Sequence, residues 1–529
     1  MGSNGEKVLS VAICAGIALG LASVALAISR YPLGMDNINM AFLIDDMLTN
    51  RNWFLSGWYI AKNNYFFTDG PVYLLTWGLF GMSPLTFRLG GALIYLLTGA
   101  ALVAVMAKYG GRRAAAMGAF LYAGLPPETA KYLYIPFFHA GTVLFTVVGF
   151  HLVIRIRERI GEVGRAPALA CSTLALVVAL GVFSDYLMFV TLVGPAVLAI
   201  AAERLVYRRA PCPIAYDLLI AIALGAAAAM GVVLTKVAGA MGLNLAFASQ
   251  FTFTDYRDVA ALALKPLRGL AALYGMDVAD AATPAAGRIV AAVRLVLFLA
   301  ALYGGLSMLR KAGSPRARML GLCAFFLAAL LVGAYAGKTV AYHYYLAPTA
   351  VFYLVGLGHL ATHASVRVRA ALIALVLVSI VAAGVEAARR PAPEQPLAGL
   401  ARYLREQGLA HGYSRIDRAN LLTFLSRGEV KVRPVRFDLN YYIQPKVFWV
   451  NEKWFEVGNA SGTFLLVGAG DRIDGFEHLS EPLIYQMFGP PARTLRYGSD
   501  TRIYVWNYDI IRKYYENQIL LGQPLRRNQ

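Results

Sequence analysis

Charge is what this sequence has least of. Only 15% of its 529 residues are Asp, Glu, Lys or Arg, whereas a soluble globular chain carries about 25%. Too few charged groups remain to coat the three or four soluble domains of about 150 residues that the length would otherwise suggest. Cysteine is nearly as scarce: Cys14, Cys171, Cys212 and Cys323 lie in or beside apolar segments, without metal-ligand spacing. That excludes a disulfide-rich secreted fold, and the polar chain after Cys323 can form no disulfide in any compartment. Acids are few as well, 30 against 49 bases, for a formal charge of +19. No basic face is interleaved with aromatics, so the imbalance does not imply a nucleic-acid partner.

What the chain does have is apolar sequence: 58% hydrophobic residues and a mean hydropathy of +0.56. Runs long enough to cross a bilayer, about 17–25 residues, fall at 8–28, 85–107, 114–127, 136–154, 167–183, 186–202, 216–240, 289–309, 319–337, 343–362 and 370–387. The expectation is a polytopic α-helical membrane protein of about eleven transmembrane helices, 114–127 being short for a span. Every second loop is basic: Lys108, Arg112 and Arg113; Arg155, Arg157, Arg159 and Arg165; Arg204, Arg208 and Arg209; Arg310, Lys311, Arg316 and Arg318; Arg367 and Arg369. By the positive-inside rule the N-terminus is cytoplasmic and the chain from 388 onward lies outside. Lys7 and Ala25-Leu26-Ala27 also fit a cleaved secretory signal, but the run is long for one, and an uncleaved anchor is expected.

The transmembrane part is read as 1–388, including a first outer loop at 29–84, followed by a proline-stiffened linker at 389–396 and a small outer α/β domain at 397–529. The first loop is rich in aromatics (Trp53, Phe54, Trp58, Tyr59, Tyr65, Phe66, Phe67, Tyr73, Trp77), which fit a headgroup belt, and 41–48 fits an interfacial helix. A second outer segment spans 242–287. In the C-terminal part, 398–407 reads as helix and 431–437, 447–450, 463–467 and 502–507 as strands. It contains no nucleophile motif, phosphate loop or HExxH, and the Asn459 sequon is read as chance. Tyr441, Tyr442, Trp449 and Trp454 fit either a packed core or sugar stacking.

Candidate chemistry gathers at the outer ends. Asp36 follows the first run in Tyr31-Pro-Leu-Gly-Met-Asp36-Asn37, and then come Gly70-Pro71-Val-Tyr73, Phe80-Gly81-Met-Ser-Pro84-Leu-Thr-Phe-Arg88-Leu89, Leu125-Pro126-Pro127 and His343-Tyr-Tyr-Leu-Ala-Pro348. In order and spacing these stretches, within about the first 390 residues, resemble the polytopic GT-C glycosyltransferases. That superfamily includes the protein O-mannosyltransferases, the lipid A aminoarabinose transferase and bacterial lipid-linked sugar transferases. The resemblance implies an inverting transfer of a sugar from a polyprenyl-phosphate donor to a glycan, lipid or protein acceptor at the outer face of a bacterial cytoplasmic membrane.

It implies further that Asp36 is the base for the acceptor hydroxyl, which must lie within hydrogen-bond reach. The leaving phosphate needs cations rather than a strong acid. Lys338 and His343 are the first candidates and Arg88, Lys265 and Arg268 the second, against the alternative of basic residues meeting lipid headgroups. Trp58 and Tyr345 are candidate sugar or acceptor contacts. Where related enzymes carry a second acid, this chain has His139, which fits an acceptor contact, a metal ligand, a phosphate contact or a satisfied helix-end histidine. Glu128 lies in the same loop. Asp185 interrupts two apolar runs, as a helix cap or a site residue, and Asp69 lies in a matched stretch; Asp45 and Asp46 read as surface carboxylates. No cofactor is firmly implied, a metal is undetermined, membrane lipids are expected partners and a monomer is expected. A transporter or flippase would keep ionisable residues in mid-span, and few are there. A polymerase or ligase would concentrate its site in a late loop, and an oligosaccharyltransferase would carry a Trp-Trp-Asp motif that the C-terminal part lacks.

Overall fold

In bilayer hydrocarbon every backbone polar group must be satisfied within its own segment, so apolar runs become helices. The computed structural model describes residues 3–61, 63–136, 139–159, 165–207, 213–246, 259–278, 284–311, 314–338, 342–390, 396–437, 443–445, 449–455, 462–468, 470–473 and 477–520. Helix α1 (Ser3–Ser29) leads through a short link into α2 (Met35–Thr49), β1 (Trp58–Ala61) and α3 (Gly70–Phe80). Then follow α4 (Pro84–Ala123), α5 (Pro127–Tyr134), α6 (Ala140–Glu158), α7 (Arg165–Ser184), α8 (Gly194–Leu205), α9 (Ile214–Ala240), β2 (Asn244–Ala246), α10 (Val259–Tyr274), α11 (Ala285–Lys311), α12 (Pro315–Gly337), α13 (Ala350–His363) and α14 (Val366–Arg389). Two of these start on a Ser-Pro pair whose serine caps the first turn: Ser83 accepts from Thr86 N, and Ser314 from Ala317 N.

Eight helices are long and apolar enough to cross a membrane among the described residues, against the eleven runs expected. The difference has three local causes. Element α4 reverses at Gly111 (φ 77°), which a side chain would strain. Its return arm then packs along the first arm, with the Tyr95 and Tyr122 rings 4.5 Å apart and each hydroxyl donating to the other residue's carbonyl. Runs 85–107 and 114–127 are therefore two arms of one element. Within α7 the apolar stretch among the described residues, Ala168–Ser184, is a short one, and run 186–202 opens on a π-helical turn, Phe189–Val193, before α8 begins.

At the end of the bundle that carries the basic loops, Arg157 is buried between Glu203 and Asp217. Asp217 also pairs with Arg204 at 2.8 Å, and Glu203 with Arg318 at 3.7 Å. Buried charges persist only when paired in this way, so the cluster staples α6, α8, α9 and α12 together.

At the opposite end sits the C-terminal sheet region: α15 (Pro396–Glu406), β3 (His411–Ser414), α16 (Ile416–Leu425), β4 (Lys431–Phe437), β5 (Ile443–Pro445), β6 (Val450–Asn451), β7 (Thr463–Gly468), β8 (Arg472–Ile473), β9 (Glu477–His478), α17 (Glu481–Phe488), β10 (Arg493–Tyr497), β11 (Thr501–Trp506) and α18 (Ile510–Leu520). Six strands form one sheet in the order β10-β11-β7-β3-β4-β5, with β3 parallel to both its neighbours. A second sheet, β2-β1-β6, draws one strand each from the first loop, the segment after α9 and the C-terminal region.

Because of that docking, two expectations about the first loop change. Trp58, Tyr65, Tyr73 and Trp77 are buried in a common core with Leu421, Phe424 and Trp449, and so are not a headgroup belt; Trp53 and Phe54 do remain exposed. The helix expected at 41–48 exists within α2, but Ile38, Ala41, Leu43 and Ile44 are covered by protein. Asn459, Tyr441, Tyr442 and Cys212 lie outside the described residues.

Candidate polar site at the sheet end of the bundle

The site is built around a break between two helices. Helix α5 ends at Tyr134, and His139 then caps α6 in the left-handed region (φ 68°). His is among the few non-glycine residues enriched there. Gly141 must follow: a Cβ on it would lie 2.2 Å from Asp69 Oδ1 and 2.3 Å from the Thr68 carbonyl oxygen. That close approach lets the Gly141 amide donate to Asp69 Oδ1 at 3.0 Å, so a carboxylate faces the positive end of α6.

One turn of α6 presents two donors to Asp185. His139 Nδ1 lies 2.5 Å and Thr142 Oγ1 2.6 Å from Asp185 Oδ2, while the Leu187 amide donates to Oδ1 at 3.0 Å. With both oxygens accepting, Asp185 is the acceptor and the proton sits on Nδ1. Both side chains are buried. Burial alone would raise the Asp185 carboxyl; the His139 ring, then the Thr142 hydroxyl and Leu187 amide, bring it below the ordinary carboxylate value. His139 Nε2 is buried and has no hydrogen-bond partner among the described residues.

A strap from the first loop closes one side. Asn64 donates to the Phe183 carbonyl (2.8 Å), the Tyr65 amide to the Ser184 carbonyl (2.9 Å) and the Phe67 amide to Ser184 Oγ (2.8 Å). Tyr65, itself left-handed (φ 54°), places its hydroxyl 3.5 Å from His139 Nδ1. Burial, followed by the charges of Asp185 and neighbouring tyrosines, holds the Tyr65 phenol well above its usual range.

The other side is a 3-10 turn, His343–Thr349. Its Tyr344 and Tyr345 rings lie 6.0 and 5.3 Å from the His139 ring. Lys338 sits over Tyr345 at 4.5 Å. Lys265 donates to the Lys338 carbonyl, and burial followed by the Lys338 charge lowers its ammonium. His343 Nε2 meets the Tyr132 hydroxyl at 2.9 Å, and Lys131 lies over the Tyr132 ring while pairing with Glu128 at 2.9 Å.

Of the residues singled out from the sequence, this arrangement brings together His139, Asp185, Asp69, Tyr345, Lys338, Lys265 and His343. Glu128 is engaged by Lys131 and Arg390. Asp36 is the second residue of α2, and its side chain lies outside the described residues. Around it, Asn37 Nδ2 lies 3.5 Å from the Tyr31 hydroxyl, and Arg88 donates to the Tyr31 carbonyl at 3.3 Å. Arg268 is exposed on α10. Trp58 is buried, donates to Asp46 Oδ2 at 2.6 Å and packs on Trp454 at 5.1 Å, so its ring is not presented to a sugar. Asp46 is no simple surface acid either, since it also accepts from Asn50 and Asn52. Sequence reasoning missed Tyr65, Thr142, Lys131, Tyr132 and Tyr344; the Tyr344-Tyr345 doublet beside His343 was the one available signal. Among the described residues, no group of three or more His, Cys, Asp or Glu side chains converges as a metal site.

Next to the strap lies an open apolar cavity of about 280 Å³, lined by Phe54, Phe66, Phe67, Phe183, Leu234 and Met241 among others.

No family model matches the sequence, and no curated protein matches it. Two solved structures share its fold along almost the whole chain. ArnT from Cupriavidus metallidurans bound to undecaprenyl phosphate aligns with a TM-score of 0.54 at 13% identity, covering 95% of this chain and 98% of that one. The apo state of the same protein gives 0.59 at 11% identity, covering 96% and 98%. The expected fold class, a polytopic helical membrane protein with a small C-terminal sheet region, is therefore the one observed.

Proposed function

We propose that this integral membrane protein is a GT-C-type glycosyltransferase that moves a sugar from a polyprenyl-phosphate donor to a glycan, lipid or protein acceptor on the outer face of a bacterial cytoplasmic membrane. The observation that carries the reading is the cluster of Lys338, Lys265, His343 and tyrosines at the sheet end of an ArnT-like bundle. The sequence resemblance and the fold agree on the superfamily, and a neighbour of the same fold was solved with undecaprenyl phosphate.

In this reading Asp36 takes the proton of the acceptor hydroxyl, the hydroxyl oxygen attacks the sugar C1, and the C1–O bond to phosphate breaks with inversion. A positioned base of this kind contributes about 10²- to 10⁴-fold. Lys338, with Lys265 behind it, meets the charge that develops on the leaving phosphate, and His343 acts with it from the start of the 3-10 turn that carries Tyr345. Arg88 holds the Tyr31 carbonyl and so fixes the approach to α2. Tyr345, beneath Lys338, contacts the sugar in this reading. The N-terminus and the basic loops face the cytoplasm, and the sheet region lies outside on the acceptor side.

The test is mass spectrometry of surface glycans and polyprenyl-phosphate sugars in cells carrying wild-type protein or the Lys338→Ala variant. The reading expects donor to accumulate and a glycan modification to be lost in the variant. Unchanged pools in cells lacking the protein altogether would overturn it.

A further inference from the structure

A buried imidazole nitrogen with nothing to bond has given up its water without a replacement, which is unfavourable. His139 Nε2 is such an atom, and its surroundings indicate what would satisfy it. Nδ1 is committed to Asp185, so the ring cannot turn to relieve Nε2. The ring and the Lys338 ammonium address the same Tyr345, at 5.3 and 4.5 Å from its centroid. A buried imidazolium–carboxylate pair is neutral overall, so a proton on Nε2 adds a donor for an anion without leaving a buried net charge.

We infer that the His139–Asp185 pair is a proton-loaded clamp for the phosphate of the polyprenyl donor, with Nε2–H as a ligand of the leaving phosphate alongside Lys338. The inference rests on the proposed transfer reaction and adds a residue and a pH dependence to it. The donor phosphodiester carries one negative charge and the released phosphate monoester about two. During transfer the C1–O electron pair stays on the phosphate oxygen and the acceptor proton goes to the base. His139 gains and loses no proton; its hydrogen bond strengthens as the phosphate charge grows. The site thus holds the product monoester more tightly when His139 is protonated. Among the described residues, the titratable and charged groups around the ring are Asp185 from the α7 end, Tyr65 from the strap, Asp69 at the Gly141 amide, Tyr344 and Tyr345 from the 3-10 turn, and Lys338 across Tyr345, with Tyr132 and His343 one ring further away.

The experiment is calorimetric titration of the full chain in lipid nanodiscs with farnesyl phosphate from pH 5.5 to 8.5, with farnesol and inorganic phosphate as parallel probes. Wild-type protein should bind farnesyl phosphate more tightly as the pH falls. His139→Ala and His139→Gln should lose about tenfold at pH 6 and retain only the pH dependence of the phosphate itself. Asp185→Asn should weaken binding as His139→Gln does, because the ring then loses the carboxylate that fixes it. Equal affinity and an unchanged pH profile in His139→Gln and Asp185→Asn would overturn the clamp while leaving the donor reading intact. So would inorganic phosphate binding as tightly as the lipid, which would mark a free-phosphate site. Wild-type protein that prefers farnesol, or binds neither lipid, would remove the donor reading itself.

Discussion

Asn420 donates its side-chain amide to Asn39 Oδ1 at 2.9 Å, joining the C-terminal sheet region to α2, the helix whose second residue is Asp36. Both residues are buried, and Asn39 lies three positions after Asp36, about one helical turn along α2. The bond ties the position of α2 to the packing of α16. Asn420→Ala leaves the Asn39 carbonyl buried and unpaired, at a cost of about 1–3 kcal/mol. Thermal unfolding and limited proteolysis of the purified protein should show earlier release of the C-terminal region; an unchanged melting curve would contradict the coupling.

Asp185→Asn should also be costly. It removes a buried carboxylate that accepts from His139, Thr142 and the Leu187 amide, and a hydrogen bond to a charged group is worth about 1.5–3 kcal/mol. The folded-state Asp185 carboxyl is depressed, so its contribution is present above about pH 4, the unfolded value, and is lost as pH falls through the folded value. Melting temperatures of wild type and variant should therefore differ at pH 7 and converge below about pH 4. A gap independent of pH would mean that Asp185 acts without its charge.

Gly141→Ala tests the close approach behind His139. The added methyl meets Asp69 and the Thr68 backbone, neither of which can yield easily, so overpacking should cost about 1–3 kcal/mol or more. Gly78→Ala meets nothing within 4 Å and should be neutral or slightly stabilising. Equal melting temperatures for the two variants would show that the Asp69 contact is slack.

Trp58→Phe separates packing from substrate contact. Losing the indole donor to Asp46 should lower stability by about 1.5–3 kcal/mol, since the acceptor is charged. The KM for sugar donor should stay unchanged. A raised KM in a protein of wild-type stability would restore Trp58 as a sugar contact.

How much of this was legible from sequence varied with the physics involved. Hydropathy placed the eight membrane-length helices of the described residues within a few residues, because backbone satisfaction in lipid leaves no alternative to helix. It could not show that Gly111 folds two runs into one hairpin, which depends on a single positive φ and on Tyr95 meeting Tyr122. In the C-terminal region β4, β7 and β11 were visible as β-branched or aromatic runs. Strand β3, His411–Ser414, was not, since it is a strand only by being buried between β4 and β7. For the site, His139 stood out by position and Asp185 by the cost of an acid between spans. Their pairing spans 46 residues and could be seen only once α6 and α7 were packed. The aromatics of the first loop misled for the same reason: a lipid interface and a docked sheet both favour Trp and Tyr.

The central claim is transfer from a lipid-linked donor with Asp36 as base. Its most direct test measures donor consumption and product formation by mass spectrometry in membranes carrying wild-type protein or Asp36→Asn at equal expression. The account predicts a loss of about 10²-fold or more in turnover with donor accumulating. Wild-type turnover in the Asp36→Asn membranes, with no accumulated polyprenyl-phosphate sugar, would contradict it.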